Sequence, residues 1–260
     1  MNHRIGSGVV LVLMLCLPGC GEHRQVPELV RIEPGAFAMG SAVDAKNEQP
    51  VHEVSLTRPF WIGAKEVTQD EYENLMGSNP SYYRGEDHPE SGKRPVESVS
   101  WHDAMAYCAA LTAQERMAGR LQDGYQYRLP TEAEWEFCCR AGTTTEWNTG
   151  ATITTSQANF DEVVRGTKLV GSHAANAWGL FDMHGNVWEW CLDGWDGSAN
   201  YPSVAVKDPY VAVGASRVFR GGAWIGRDSH CRSAYRGMAL PGIAYGLLGF
   251  RVVLGPTLVP

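Results

Sequence analysis

The sequence predicts an α+β domain in which a few short helices pack on small, twisted, irregular sheets. Three observations carry this reading. The chain has 260 residues, 44% of them hydrophobic, enough for one large core. Twenty-nine Gly and 9 Trp stand beside only 20% charged residues, a balance that suits aromatic-pinned loops better than long helices. Helix-start signals occur only before Gly142, and past it no helical period of useful length remains.

The first residues are a separate object. Arg4 precedes an unbroken apolar run from Val9 to Leu17, and Leu17-Pro18-Gly19-Cys20 follows at once. This resembles a bacterial lipoprotein signal peptide over residues 1–19, too short in its apolar part to span a bilayer. The resemblance implies lipid on Cys20, a polar tether over residues 20–29, and anchoring to the cell envelope through the lipid alone. Gly21 in place of Asp after the lipidated Cys points to the outer membrane of a Gram-negative cell, with surface exposure open. Twenty-two basic against 29 acidic residues, net charge −7, and no basic block exclude a nucleic-acid backbone as partner.

The folded part is expected over residues 30–255, with a tail at 256–260. Val30 to Met39, broken by a turn at Pro34-Gly35, and Val51 to Leu56 alternate as strands of an antiparallel ribbon, which Phe60-Trp61-Ile62-Gly63 continues. Thr68 with Glu71, Ser100 with Asp103, and Thr131 with Glu134 are capping boxes. They open helices that end near Met76-Gly77, Ala118 and Arg140. Val187-Trp188-Glu189-Trp190 and Arg217-Val218-Phe219-Arg220 are short aromatic strands in the second half. No linker-like run divides the chain, so one domain is expected.

Several strings now coincide in order: Pro34 to Ser41, Glu66-Val67-Thr68, Pro95 to Trp101, Arg128 to Glu136, Gly179 to Trp190, Arg220-Gly221-Gly222-Ala223-Trp224 and Leu248-Gly249-Phe250-Arg251. Together they resemble the formylglycine-generating enzyme (sulfatase-modifying factor) family over essentially the whole domain. That resemblance implies a C-type-lectin-like fold. The enzymes of the family oxidise a peptide Cys with a pair of cysteines that hold Cu(I), spaced five apart after the Gly-Gly-aromatic motif. Here that stretch, Trp224 to Cys231, holds Cys231 alone, so the soft two-thiolate site is missing and copper is not expected. In an oxidising compartment Cys231 is expected to pair with Cys139 or Cys191, while Cys108 and Cys138 complete an odd set whose connectivity spacing leaves open. The iron cluster of sulfoxide-forming relatives, His-x-x-x-His-x-Glu, is also absent, and His102, His173 and His184 read as packing or hydrogen-bonding residues.

The resemblance further implies a structural calcium site on Asp182, Gly185, Val187 and Glu189, where carboxylates and carbonyls suit a hard cation. Asn159 resembles the start of a second site, but Phe160 to Lys168 departs from the enzymes.

The stretch between the Arg-Gly-Gly and Gly-Phe-Arg motifs has its own character. From Phe219 through Val253 there is no Lys, Glu, Gln, Asn or Thr, and its apolar residues follow neither helical nor strand period. Aromatic and aliphatic groups on irregular loops suggest recognition. The pattern resembles the variable proteins of diversity-generating retroelements, which share the lectin-like fold and randomise template adenines. Phe219, Ile225, Gly226, Arg227, Ser229, His230, Tyr235, Gly237, Leu240, Gly242, Ile243, Tyr245 and Leu247 are all reachable from Asn codons in this way, and Met238 is not. The expectation is a non-catalytic lipoprotein whose C-terminal loops bind a protein or other macromolecule. The alternatives are an oxidoreductase of the formylglycine-generating type using Cys231, and an envelope scaffold.

Overall fold

A computed structural model describes residues 26–42, 44–195 and 200–258; the signal segment and Cys20 lie outside these. Four strands open the fold: β1 (Leu29–Ile32), β2 (Gly35–Met39), β3 (His52–Leu56) and β4 (Phe60–Gly63). β2 and β3 pair antiparallel, as their alternation predicts, but β1 pairs instead with β4. The expected ribbon is therefore split between two sheets, because the turn at Pro34-Gly35 redirects the chain rather than closing a hairpin.

Three helices follow: α1 (Gln69–Met76), α2 (Trp101–Met117) and α3 (Glu132–Arg140). Each starts with a reciprocal capping box, on Thr68 and Glu71, Ser100 and Asp103, and Thr131 and Glu134. α1 stops at Gly77 with φ 77, and α3 ends at Arg140 as expected, capped by Ala141 with φ 44 rather than by a glycine. All nine residues of α3 are buried, including three glutamates, so this helix is the hub of the core rather than a surface helix.

Strand β5 (Tyr125–Arg128) lies between α2 and α3, and the second half supplies β6 (Trp188–Trp195), β7 (Val206–Lys207), β8 (Ser216–Arg220), β9 (Gly237–Ala239), β10 (Leu248–Gly249) and β11 (Val253–Pro256). The sheets are β1-β4-β11-β5, β10-β6-β8-β9 and β2-β3-β7. Most pairs are antiparallel, as expected of a lectin-like fold, but β10 pairs β6 and β3 pairs β7 in parallel over two positions each. The folded chain also exceeds its expected bounds. Ala64 N donates to Glu28 O, β11 includes Pro256, and Thr257 N donates to Gly124 O.

Two core clusters meet along β6. One gathers Trp135, Ile62, Leu180 and Val218, the other Tyr107, Leu129, Trp190 and Phe250. Burial of this aromatic and aliphatic surface, at roughly 25 cal/mol per Å2, is the main favourable term. It leaves the irregular second half to be fixed by polar contacts.

Candidate functional site

Those contacts are mostly arginines. Arg220, fully buried at the end of β8, pairs with Glu136 of α3 and donates to the carbonyls of Ser233, Ala234 and Tyr235 at 2.9, 2.7 and 2.7 Å. Arg232 is bidentate on Glu48 at 2.8 and 2.9 Å and reaches Asp44 at 2.7 Å. Arg236 is bidentate on Glu132 at 2.6 Å each, and Arg251 on Glu189 at 2.6 Å each. The planar guanidinium fork locks a chain segment in one orientation, so loops without regular hydrogen bonding hold a single shape.

On this frame the segment from Phe219 to Leu247 presents a mixed surface. Ile225, Leu240 and Tyr245 are 47, 59 and 45% exposed, together with Met238 at 52%. Arg227, Ser229 and Gly242 are also exposed, while His230, Ile243 and Leu247 are half-buried. Phe219, Tyr235 and His230 gather around Trp188, with ring centroids 5.0, 5.5 and 6.4 Å from it. Gly226 is buried instead, and Gly237 lies in β9 where an added Cβ would come within 2.0 Å of the Phe219 ring. Neither glycine offers a side chain to a ligand, so their contribution is shape.

Residues outside that segment border the same face. Tyr82 is 73% exposed, Tyr83 stacks edge-on against Trp224 at 5.6 Å, and Ser98 N donates to Tyr245 O. Tyr82 and Trp188 were not among the expected contacts. An aromatic pair in a Pro-rich loop was the available signal for the first, and the second was read only as part of the Trp-Glu-Trp strand.

The loop that carries the expected calcium residues spends most of its polar groups on protein partners. Asp182 and Asn186 adopt positive φ, 56 and 66, and Gly185 N donates to Gly221 O at 2.7 Å. Glu189 spends both oxygens on Arg251, and Trp135 Nε1 donates to one of them at 2.7 Å. Asp182 accepts from Gly171 N at 2.5 Å. Glu66, from the Glu-Val-Thr motif, joins this group unforeseen: Oε1 accepts from Asn186 Nδ2 at 3.0 Å, and Oε2 is buried without a partner. Burial, then Asp182 and Glu189, push the Glu66 carboxyl well above its usual range, and Arg251 pulls the other way. Three carboxylates thus share one guanidinium, and an orphaned hard oxygen faces the surplus of negative charge. These donors fit a hard cation, with Glu66 rather than Glu189 as the uncommitted side chain. Among the described residues no three His, Cys, Asp or Glu side chains converge as a metal cluster, so carbonyls would have to complete the set.

The expected disulfide is not formed: Cys108, Cys138, Cys139, Cys191 and Cys231 are all buried free thiols. Cys139 Sγ lies 3.6 Å from Met183 O and from Ser233 Oγ, and Cys191 Sγ faces its own strand at Glu189 O. Burial pushes the Cys139 thiol up to about 12 and the Cys231 thiol higher still, so neither supplies thiolate at neutral pH. Five residues before Cys231 stands Gly226, with no side chain to complete a pair. His184 is a hydrogen-bonding residue, as expected. Its Nδ1 is 2.7 Å from Cys231 O, Asn148 N donates to Nε2, and burial lowers it to about 4, so it stays neutral.

Residues 18–255 match the model of the sulfatase-modifying factor enzyme 1-like domain. The chain belongs to that family. It is 32% identical to the formylglycine-generating enzyme of Streptomyces coelicolor, covering 85% of this chain and 87% of that one. It is 33% identical to the serine/threonine-protein kinase pkn1 of Chlamydia caviae over 88% of this chain, but spans only 38% of the kinase. Among solved structures it is similar to Treponema denticola variable protein 1, with a TM-score of 0.78, 29% identity, and coverage of 88 and 95% of the two chains. Within the sulfatase-modifying factor family, then, the chain keeps the frame and resembles a variable protein, while its five described thiols are buried and unpaired.

Proposed function

We propose that this chain is a non-catalytic binding protein of the cell envelope, held by lipid on Cys20, whose loops 219–247 grip a protein or other macromolecule. The observation that carries this reading is the exposure of Ile225, Leu240 and Tyr245 on loops that buried arginines hold rigid. Exposed apolar side chains on a preorganised frame lose little entropy on binding, which favours recognition. The similarity to Treponema denticola variable protein 1 supports it, as does the reach of the face from Asn codons.

The oxidoreductase reading draws on the similarity to the Streptomyces coelicolor enzyme. Incubating the folded chain with Cu(I), oxygen and a Cys-containing sulfatase peptide separates the two. The binding reading expects no formylglycine, and turnover that Cys231→Ser abolishes would overturn it.

Calcium is proposed to sit among Glu66, Asp182 and the carbonyls of the Gly185–Val187 turn. Its role there is structural: it neutralises surplus charge and fixes the turn that leads into β6. At a hundredfold excess over its dissociation constant such an ion adds about 2.7 kcal/mol of stability. The folded chain should therefore melt higher in calcium than in chelator, and Glu66→Gln should shrink the difference. Equal melting in both would remove the ion from the account.

A further inference from the structure

Away from the loop face, a cavity of about 180 Å3 opens between the end of β6, the start of α3, β3 and the segment 200–211. Its walls are largely apolar, with Met39, Val206 and Val211 among them, and at its edge stands Asp193, only 5% exposed. Asp193 accepts from Glu132 N at 2.8 Å and from Val211 N at 3.0 Å. Among the described residues no Lys, Arg or His pairs with it. The guanidinium in the wall, Arg236, is spent on Glu132 at 2.6 Å and lies between the rings of Trp195 and Tyr201 at 4.4 and 4.1 Å. Glu132 is thus matched by Arg236 and, from behind the wall, by Arg220 at 3.7 Å, while Asp193 has no cation of its own among the described residues.

A buried carboxylate without a counter-ion is costly, and either a proton or a cation relieves it. We propose that this cavity binds a small organic ammonium ion, its charged head on Asp193 and its aliphatic body against Met39, Val206 and Val211. The volume lies below the roughly 300–1,000 Å3 of drug-sized pockets, so a short alkyl chain is the size that fits. The site shares no exposed residue with the loop face, and stands or falls independently of the binding reading.

Burial, then Glu132, push the Asp193 carboxyl up to about 7, with Glu134 adding to it. The other groups facing it are His52 from β3, Tyr210 and Tyr201 from the 200–211 segment, Arg236, and Cys191 from its own strand. An ammonium head needs the ionised form. Affinity should thus fall about tenfold between pH 8 and pH 6 as the proton competes.

The test is a calorimetric titration of the folded chain with n-butylammonium, with n-butanol as the uncharged control. The expected result is saturable binding of the amine at pH 8, at least tenfold tighter than the alcohol and weaker at pH 6. Asp193→Asn should keep the fold, checked by circular dichroism, and lose the preference for the amine. Val206→Phe, which fills the cavity and leaves Asp193 in place, should lose binding altogether. No saturable binding by the wild type, equal binding of alcohol and amine, or unchanged binding in both variants would overturn the proposal.

Discussion

Arg220 shows at the scale of one residue how this protein holds irregular backbone still. Its fully buried guanidinium joins α3, through Glu136, to three consecutive carbonyls after the short turn at Asp228–Cys231. Arg220→Ala leaves Glu136 with Arg140 as its remaining cation and frees those carbonyls. Chemical denaturation should register a loss of about 3–5 kcal/mol. Gly237 makes a second point. A Cβ there meets the Phe219 ring at 2.0 Å, so Gly237→Ala alone should destabilise by about 1–3 kcal/mol, and Phe219→Ala should rescue it in a double-mutant cycle. A side chain at position 237 therefore requires a smaller residue than Phe at position 219.

Asp193 also gives a pH signature. Its folded carboxyl sits near 7 and its unfolded value near 3.8, so the folded state holds more protons between the two. Its contribution to stability is therefore present below about pH 4 and lost as pH rises to 7. His184, lowered to about 4 in the fold, acts in the opposite direction, losing stability as pH falls from 6.5. Comparing wild type with Asp193→Asn across pH 4 to 8 isolates the first: the variant should lose less stability as pH rises. A parallel pair of curves would contradict the assignment.

Elements were legible in proportion to how local their signal is. All three helices are announced by a cap and its partner three residues on, and all three form where the boxes stand. Thr131→Ala should accordingly cost about 0.5–2 kcal/mol in thermal or denaturant unfolding. Strand pairing was less legible, because a two-residue parallel contact such as β10 with β6 leaves no pattern in sequence. The split of β1 from β2 into separate sheets shows in the pairing of β1 with β4, whose other edge takes β11 from the far end of the chain. The cysteines misled for a related reason: their number and compartment suggest pairing, but position decides, and the five described thiols are buried and unpaired.

Across the whole molecule, the fold was read mainly through motifs spread from Pro34 to Arg251, and the arginine clamps explain why those motifs recur where they do. Arg220 pairs with Glu136 and Arg251 with Glu189, so two buried ion pairs join four of those motifs in space. The candidate face was legible as a composition, Phe219 to Val253 without Lys, Glu, Gln, Asn or Thr, and the structure adds its fixed border at Tyr82 and Trp188. Glu66 and the Asp193 cavity were not legible, since both depend on burial and on the count of neighbouring charges rather than on any spacing. We propose that residues 219–247 form a binding face rewritten from a template. It is tested most directly by reading the DNA beside this gene for a near-copy of the segment encoding residues 217–252. The expected result is a copy whose mismatches fall on template adenines, next to a reverse transcriptase; a copy with mismatches at all four bases, or no copy, refutes the proposed rewriting.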